Sequence, residues 1–265
     1  MKLKVVSREY KLLLDHREFL DRRAGLATYR AEVERLARPA RLEGDFGAPA
    51  KRTLSFLDTP DLTLRRLGLI LRHRSTDETS ELTLKCRSED RYFVAGTDVS
   101  ETEGLKARRK LEEDIAAPFI SRFSLSNTVE TPGPTTWGAA AQVFPILATL
   151  RLDDRPVSPD VVLRPVNGLE VYERVFTGPV LQFSDRVNKG KKTRATVALI
   201  LWSDGKEGRP LVAEFSYRLK DQDEHYSRDL ALAARGFFER LQRHDWTAPR
   251  GTTKTQFAFG DLGES

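Results

Sequence analysis

The chain has 265 residues, of which 39% are hydrophobic, and this is enough apolar material for a packed core, which excludes a disordered chain. Its 44 Lys and Arg outnumber 39 Asp and Glu, so the net charge of +5 suits anionic partners without by itself indicating nucleic acid. The single cysteine, Cys86, excludes an internal disulfide framework and a cysteine-based metal site. The sequence has neither a signal-peptide core nor an apolar run that could span a bilayer, so we expect a soluble, cytoplasmic protein with no membrane partner.

The first predicted element is a strand over residues 3–14, where apolar and polar residues alternate. One face of this strand carries Ser7, Glu9 and Lys11, which places a carboxylate and an ammonium group one strand step apart. A neighbouring acid and base are compatible with an ordinary surface ion pair or with a site.

A helical insertion is predicted over about residues 16–37. Asp15 and Glu18 have the spacing of a capping box, and apolar residues then recur at helical intervals up to Pro39. Residues 40–50, rich in Gly and Ala, are predicted to form a surface connection.

Residues 53–85 are predicted to contain a turn into a short helical piece at residues 58–61, then a strand that starts after Gly68 and carries Arg72 and Arg74, and a further strand over residues 81–85. Arg72, Arg74 and Lys85 lie on the polar faces of successive strands. A half-solvated sheet shows the same alternation, but like charges side by side repel one another unless an anion lies between them. The hairpin therefore indicates an anion site, and a phosphate chain is an anion of the right shape.

Residues 88–98 are predicted to be a polar connection with a short strand. A further strand is predicted over residues 108–115. The polar face of that strand mixes both charges, in Arg108, Lys110, Glu112 and Asp114. Residues 117–150 are predicted to be an irregular and helical connection, with helices over 118–126 and 139–150.

The second half repeats the alternation. Strands are predicted over residues 169–176, 180–185, 193–202 and 211–219, with a turn at 187–192. The first of these carries Glu170, Tyr172 and Arg174 on one face, and the last carries Glu214, Ser216 and Arg218. An amphipathic helix over 230–241 precedes a tail that contains Lys254.

These elements predict an α+β fold in one domain over residues 1–265. About eight antiparallel strands close into a barrel, and helices cover its apolar outer face. The charged faces then line the interior, which must be hydrated because burying so many ions in a dry core is prohibitively costly.

Several motifs resemble the CYTH, or triphosphate tunnel metalloenzyme, superfamily. EYK at residues 9–11 is similar to the end of its ExExK motif, and FLDTPDLTLRRLGLILRHR followed by ELTLK resembles its central segment. KLEED, AEFSYR and TTKTQFAF resemble its later acidic strands and its basic tail. The resemblance extends from Leu3 to Phe259, and two acids of the family pattern are replaced, by Ser7 and Ser216.

This resemblance implies a β-tunnel that binds triphosphate or polyphosphate and uses Mg²⁺ or Mn²⁺ as cofactor. By position, the implied phosphate-binding residues are Lys11, Arg72, Arg74, Lys85, Lys110, Arg174, Arg218 and Lys254. The implied metal ligands are Glu9, Glu112, Asp114 and Glu214. The implied catalytic residues are Glu9, Lys11 and Lys85. Guanidinium groups grip phosphate oxygens in pairs, and Mg²⁺ prefers carboxylate oxygens, so the residue types suit these roles.

Three functions remain open at this stage. The first is a metal-dependent phosphohydrolase of inorganic triphosphate or of a triphosphorylated organic substrate. The second is a catalytically weak or inactive module that binds polyphosphate or nucleotide, because a serine hydroxyl is a weaker metal ligand than a carboxylate. The third is an adenylate cyclase that uses the same tunnel. The basic turns at 106–110 and 189–192 lack interleaved aromatic residues, so no nucleic-acid partner is expected; His16, His73 and His225 are predicted to lie outside the site.

Overall fold

The protein forms a β-barrel with helices on its outside. The computed structural model describes residues 3–184, 192–220, 226–248 and 253–260. The strands are β1 (Val5–Leu14), β2 (Arg41–Glu43), β3 (Ala50–Asp58), β4 (Leu69–Ser75), β5 (Ser80–Ser88), β6 (Ala107–Ala116), β7 (Ile120–Glu130), β8 (Arg151–Leu152), β9 (Arg155–Pro156), β10 (Arg164–Ser184), β11 (Lys192–Ser203) and β12 (Pro210–Lys220). The helices are α1 (Arg22–Ala37), α2 (Thr63–Arg66), α3 (Arg91–Gly96), α4 (Trp137–Val143), α5 (Ile146–Thr149), α6 (Arg228–Gln242) and α7 (Lys254–Phe259).

The main sheet closes on itself. Its strand order is β11-β12-β1-β6-β7-β5-β4-β3-β10, and β10 also pairs with β11, while the short β2 extends the sheet beside β10. The pairings are antiparallel except that between β1 and β6, which is parallel. The predicted closed barrel is therefore confirmed, with nine strands in the ring.

The outer face of the barrel is apolar and forms the main core. One cluster packs α1 and α6 against β1, β10, β11 and β12, where Tyr10 stacks on Tyr217 with ring centroids 4.7 Å apart. Another packs the helical region after β7 against β4, β5 and β6, with Trp137 and Phe144 fully buried. Because apolar side chains point outward to the helices, the alternating polar side chains must point inward.

Residues 118–126 are not a helix as predicted but enter strand β7. Phe123, Leu125 and Val129 pack against the outer cluster, and Ser126 and Thr128 face the interior. The two-residue period was hidden because the inward positions carry small hydroxyl residues rather than charges. Pairing with β5 and β6 decides the conformation.

Two further predictions of secondary structure need correction. Residues 91–96 form helix α3 instead of a loop or strand, because the Asp90 carboxylate accepts hydrogen bonds from the backbone N–H of Tyr92 and Phe93 at 2.8 and 3.1 Å. The predicted helix over 139–150 is two helices, α4 and α5, which are interrupted at Phe144 and Pro145. Proline lacks the N–H that would continue the first helix.

Helix α1 starts later than predicted. Asp15 caps a 3-10 turn (His16–Phe19), and Asp21 caps α1 by accepting a hydrogen bond from the Ala24 N–H at 3.0 Å. A β-carbon on Gly25 would lie 2.5 Å from the Glu18 carbonyl oxygen, so only glycine permits this close packing.

Two predicted strands of the second half are one. Strand β10 continues through residues 169–184 with an irregularity between Thr177 and Val180, where Gly178 has φ of +134°. A Gly-Pro pair indicated a break, but glycine allows the strand to bend and pair with β2, which lies within the predicted connection at 40–50. Residues 187–191 of the predicted turn at 187–192 lie outside the described residues, and so does His225. No helix in the described part of the chain is long and apolar enough to cross a membrane.

Candidate functional site

The barrel encloses a charged cavity of about 570 Å³, which we call the tunnel. Its lining contains ten basic and six acidic side chains among the described residues, so positive charge predominates. The basic residues are Lys11, Arg52, Arg72, Arg74, Lys85, Arg87, Arg108, Lys110, Arg218 and Lys254. The acidic residues are Glu9, Glu81, Glu112, Asp114, Glu173 and Glu214.

Lys11 and two acids form the centre of the acidic side of the tunnel. Glu9 and Asp114 lie in register on the parallel strands β1 and β6, and the Lys11 Nζ lies 3.3 Å from Glu9 Oε2 and 2.8 Å from Asp114 Oδ1. Burial opposes ionisation, but Lys11 and Arg218 outweigh it and lower the pKa of Glu9 to about 2. The same lysine, with Lys85 and Arg87, holds the pKa of the buried Asp114 well below its usual range.

Glu112 lies beside this group. Its Oε1 accepts a hydrogen bond from the Ser7 hydroxyl at 3.1 Å and lies 3.9 Å from an Arg218 nitrogen. Arg218 also donates to Glu9 at 2.8 Å. Arg218 therefore connects two of the predicted metal ligands, and Ser7 contributes a hydrogen bond at the position where the family pattern has an acid.

Lys85 has little compensation for its charge. Its nearest carboxylate oxygen belongs to Asp114, at 3.7 Å, and Arg87 approaches the same oxygen at 3.3 Å. Burial lowers the pKa of Lys85 to about 7, and Arg87 and Lys11 add to the effect while Asp114 opposes it. An anion in the tunnel would relieve this deficit of negative charge.

Arg72 is the least compensated of the tunnel arginines. In the described part of the chain no carboxylate lies within 4.0 Å of it, and its hydrogen bond to Thr83 Oγ1 is long, at 3.4 Å. Burial, with Arg74 nearby, lowers the pKa of Arg72 well below its usual value. The buried Nε atoms of Arg72 and Arg74 have no hydrogen-bond partner. Two guanidinium groups, each with an unsatisfied Nε, thus line the same cavity.

Helix α7 brings a residue from the C-terminal region into the tunnel. Lys254 Nζ lies 2.9 Å from Glu214 Oε1 and 5.5 Å from the centre of the Trp202 ring. The Thr253 hydroxyl caps this helix by accepting from the Gln256 N–H, and Ala258 and Phe259 are buried. Lys254, predicted to bind phosphate, and Glu214, predicted to bind metal, therefore form an ion pair inside the barrel.

Arg174 does not line the tunnel, so its predicted inward orientation is wrong. Its guanidinium hydrogen-bonds to the Ser203 hydroxyl at 3.0 Å and covers the ring of Tyr172, outside the tunnel. The inward residues of β10 are Glu173 and Val175, because the face that was chosen for Glu170, Tyr172 and Arg174 is the outward one. A slip of one residue exchanges the two faces of a strand. The remaining predicted phosphate-binding and metal-binding residues all line the tunnel.

Five charged lining residues were not among the predicted site residues: Arg52, Glu81, Arg87, Arg108 and Glu173. Glu81 and Arg108 lie on the polar faces of predicted strands but had no predicted role. Arg52 lies one residue before the predicted segment at residues 53–85, and Arg87 lies one alternation beyond the predicted end of β5 at Lys85. Extending this segment by one period at each end would have found these two arginines. Glu173 was missed because the face of β10 was misassigned.

The predicted metal ligands suit a hard cation in their chemistry. In the described residues no three carboxylate, histidine or cysteine side chains are close enough together to hold a metal ion on their own. Mg²⁺, however, is commonly held by one or two carboxylates together with phosphate oxygens of a ligand. Glu9 and Asp114, in register and joined through Lys11, with Glu112 beside them, fit that arrangement.

The fold and the tunnel have the architecture that the sequence resemblance implied: a closed barrel with charges inside and helices outside. The closed barrel with a charged interior and helices outside, which the sequence resemblance implied, is therefore confirmed. No family model and no curated protein matches the chain.

Solved structures similar to the chain include three nearly full-length matches. A candidate adenylate cyclase from Bacillus halodurans is 13% identical, with 97% of each chain covered and a TM-score of 0.39. A candidate adenylyl cyclase from Hippeastrum, described as having a dominant triphosphatase activity, is 15% identical, with 96% of this chain and 94% of that chain covered and a TM-score of 0.37. A candidate adenylate cyclase from Vibrio parahaemolyticus is 14% identical, with coverage of 97% and 99% and a TM-score of 0.36.

Proposed function

We propose that the tunnel binds the phosphate chain of inorganic triphosphate, polyphosphate or an organic triphosphate such as a nucleotide. The observation that carries this proposal is Arg72, a tunnel arginine with no carboxylate within 4.0 Å in the described part of the chain, with Arg74 on the same strand and Lys85 on the neighbouring strand β5. Arg72 is half-buried, and partial removal of a cation from water without a counter-ion is unfavourable. A phosphate chain offers the charge and the oxygen acceptors that this cluster lacks.

We further propose that the bound chain is hydrolysed at its terminal anhydride by water. Arg72, Arg74 and Lys85 would hold the phosphates in line, and Lys11 would stabilise charge on the side of Glu9 and Asp114. Glu9, Glu112 and Asp114 would hold Mg²⁺ or Mn²⁺ together with the phosphates, while Glu214 pairs with Lys254. When bound, the metal would neutralise phosphate charge and orient the attacking water.

The test is phosphate release from tripolyphosphate, thiamine triphosphate and nucleoside triphosphates, with Mg²⁺, with Mn²⁺ and with EDTA. We expect release from at least one of them that EDTA abolishes. Glu9→Gln is expected to lose turnover while retaining affinity for the phosphate chain. Absence of phosphate release under all conditions would refute the proposed hydrolysis. Absence of tripolyphosphate binding in calorimetry would refute the proposed binding as well.

The second candidate is a binding module that does not hydrolyse its ligand. It is favoured by Ser7 and Ser216, which stand where the family pattern has acids, and by the ion pairs that occupy Glu9 and Asp114. Calorimetry separates the two candidates. Tight tripolyphosphate binding in EDTA, with no phosphate release when metal is added, would support the module.

A further inference from the structure

Glu173 is a completely buried acid behind the tunnel arginines. Its side chain is 0% exposed, and both of its oxygens are occupied. Oε2 accepts from the Arg52 Nε and lies 3.4 Å from an Arg74 nitrogen, and Oε1 accepts from the Trp202 indole N–H at 3.0 Å. Burial opposes its ionisation, but Arg74, Lys254 and Arg52 hold the pKa of Glu173 far below its usual range.

This arrangement fixes two guanidinium groups at once. Arg52 and Glu173 lie in register on β3 and β10, and Arg74 lies opposite Leu54, two residues further along β3. A single carboxylate therefore contacts arginines that come from two different strands. The Trp202 N–H in turn fixes the carboxylate, so the set cannot rotate as freely as an exposed ion pair would.

The contacts with Glu173 use only some of the N–H donors of Arg52 and Arg74. Glu173 contacts Arg52 through its Nε and Arg74 through one terminal nitrogen, and the buried Nε of Arg74 has no partner. Arginine carries five N–H donors in a rigid fork, so a partner at one edge orients the remaining donors. Both oxygens of Glu173 are already engaged, so this acid is poorly placed to bind a cation in the tunnel.

We propose that Glu173 is a positioning residue, which holds Arg52 and Arg74 in the orientation that grips the phosphate chain. This inference rests on the proposed phosphate binding. The change in affinity that it predicts is opposite to the change that electrostatic repulsion alone predicts. An acid close to a polyanion repels it, so charge alone predicts that removing the acid tightens binding. Positioning predicts that removing it weakens binding.

The experiment compares two variants with the same change of charge. Glu173→Gln removes the acid that holds the two arginines, and Glu81→Gln removes another tunnel acid, whose ion pair is with Arg108. Tripolyphosphate is titrated into each protein by calorimetry at one ionic strength. We expect Kd to rise about tenfold for Glu173→Gln, the scale at which outer partners of ligand-holding side chains act. We expect Kd to stay the same or fall for Glu81→Gln.

Stoichiometry separates positioning from a loss of structure. An irreversibly misfolded fraction reduces the number of sites at an unchanged Kd, whereas disoriented arginines change Kd at an unchanged number of sites. Reversible unfolding would raise Kd tenfold only if about nine-tenths of the variant were unfolded, which circular dichroism would reveal. Trp202→Phe provides a second variant, because it removes the N–H that fixes the carboxylate and leaves every charge in place. We expect its Kd to rise by about fivefold, the worth of one hydrogen bond.

The outcomes are distinct. Wild-type protein that fails to bind tripolyphosphate would overturn the proposed function, and this inference with it. Wild-type binding combined with equal or tighter binding by folded Glu173→Gln would overturn the positioning role alone. If Glu173→Gln does not fold, Trp202→Phe decides, and an unchanged Kd for that variant overturns the inference.

Discussion

Replacing Arg72 by methionine should stabilise the ligand-free protein and weaken ligand binding. Methionine has a similar length and no charge, so Arg72→Met removes a half-buried guanidinium whose buried Nε has no partner and which has no carboxylate within 4.0 Å in the described residues. Leaving a buried polar group unsatisfied costs about 1–3 kcal/mol. We therefore expect the free energy of unfolding without ligand to rise by about 1–2 kcal/mol.

The same substitution should lower the affinity for tripolyphosphate. Hydrogen bonds to charged groups contribute about 1.5–3 kcal/mol, and Arg72 would make at least one with the ligand. The loss corresponds to a rise in Kd of about 10-fold to 150-fold. At a ligand concentration of 100 times the wild-type Kd, ligand stabilises the wild type by about 2.7 kcal/mol. A variant with 30-fold weaker binding gains only about 0.9 kcal/mol at that concentration.

Urea unfolding with and without tripolyphosphate measures both effects on one sample. Arg66→Met is the matched control, because Arg66 is an exposed arginine outside the tunnel that lies 3.3 Å from Asp153. The control should change neither stability nor ligand stabilisation by more than about 0.5 kcal/mol. The reasoning is refuted if Arg72→Met destabilises the ligand-free protein, since Arg72 would then be a structural partner, or if it keeps the full ligand stabilisation.

Other predictions concern residues outside the tunnel. Arg174→Met should leave the calorimetric Kd for tripolyphosphate unchanged and lower the free energy of unfolding by about 1–2 kcal/mol, through the lost hydrogen bond to Ser203; a weaker Kd would return Arg174 to the site. Asp58→Ala should cost about 2–4 kcal/mol in urea unfolding, because the Asp58 carboxylate accepts from the N–H groups of Thr59, Leu64 and Arg65; a cost below about 1 kcal/mol would contradict this capping role. Burial lowers the pKa of His73, so the folded state resists its protonation and stability is lost as the pH falls below about 6.5, the unfolded value. The free energy of unfolding of His73→Gln should therefore fall less than that of the wild type between about pH 7.5 and 5. Equal losses would contradict a lowered pKa for His73.

The barrel could be predicted because charged and apolar residues alternate along several of its strands. Charged residues recur at every second position on β4, at Arg72 and Arg74, and on β6, from Arg108 to Asp114, and this pattern shows both the strand and its inner face. Strand β7 has serine and threonine at its inner positions, so its period was invisible and a helix was predicted instead. Only its pairing with β5 and β6 determines the conformation.

The site was predictable to the extent that each face could be assigned. On β10 the sequence Glu-Arg at 173 and 174 offers one charge to each face, and the sequence alone gives no local reason to prefer either. The choice is made by Arg52, which lies opposite Glu173 on a strand more than a hundred residues away in sequence. Long-range pairing of this kind is not visible in a local pattern.

The closure of the ring between β1 and β12 has a consequence during synthesis on the ribosome. The ion pair between Glu9 and Arg218 joins residues 209 positions apart, so the first strand emerges long before the partner that completes its surroundings. Until then the nascent chain keeps an unpaired edge and an exposed apolar face, the features that favour aggregation. We expect cotranslational folding to be slow and premature termination products to be insoluble.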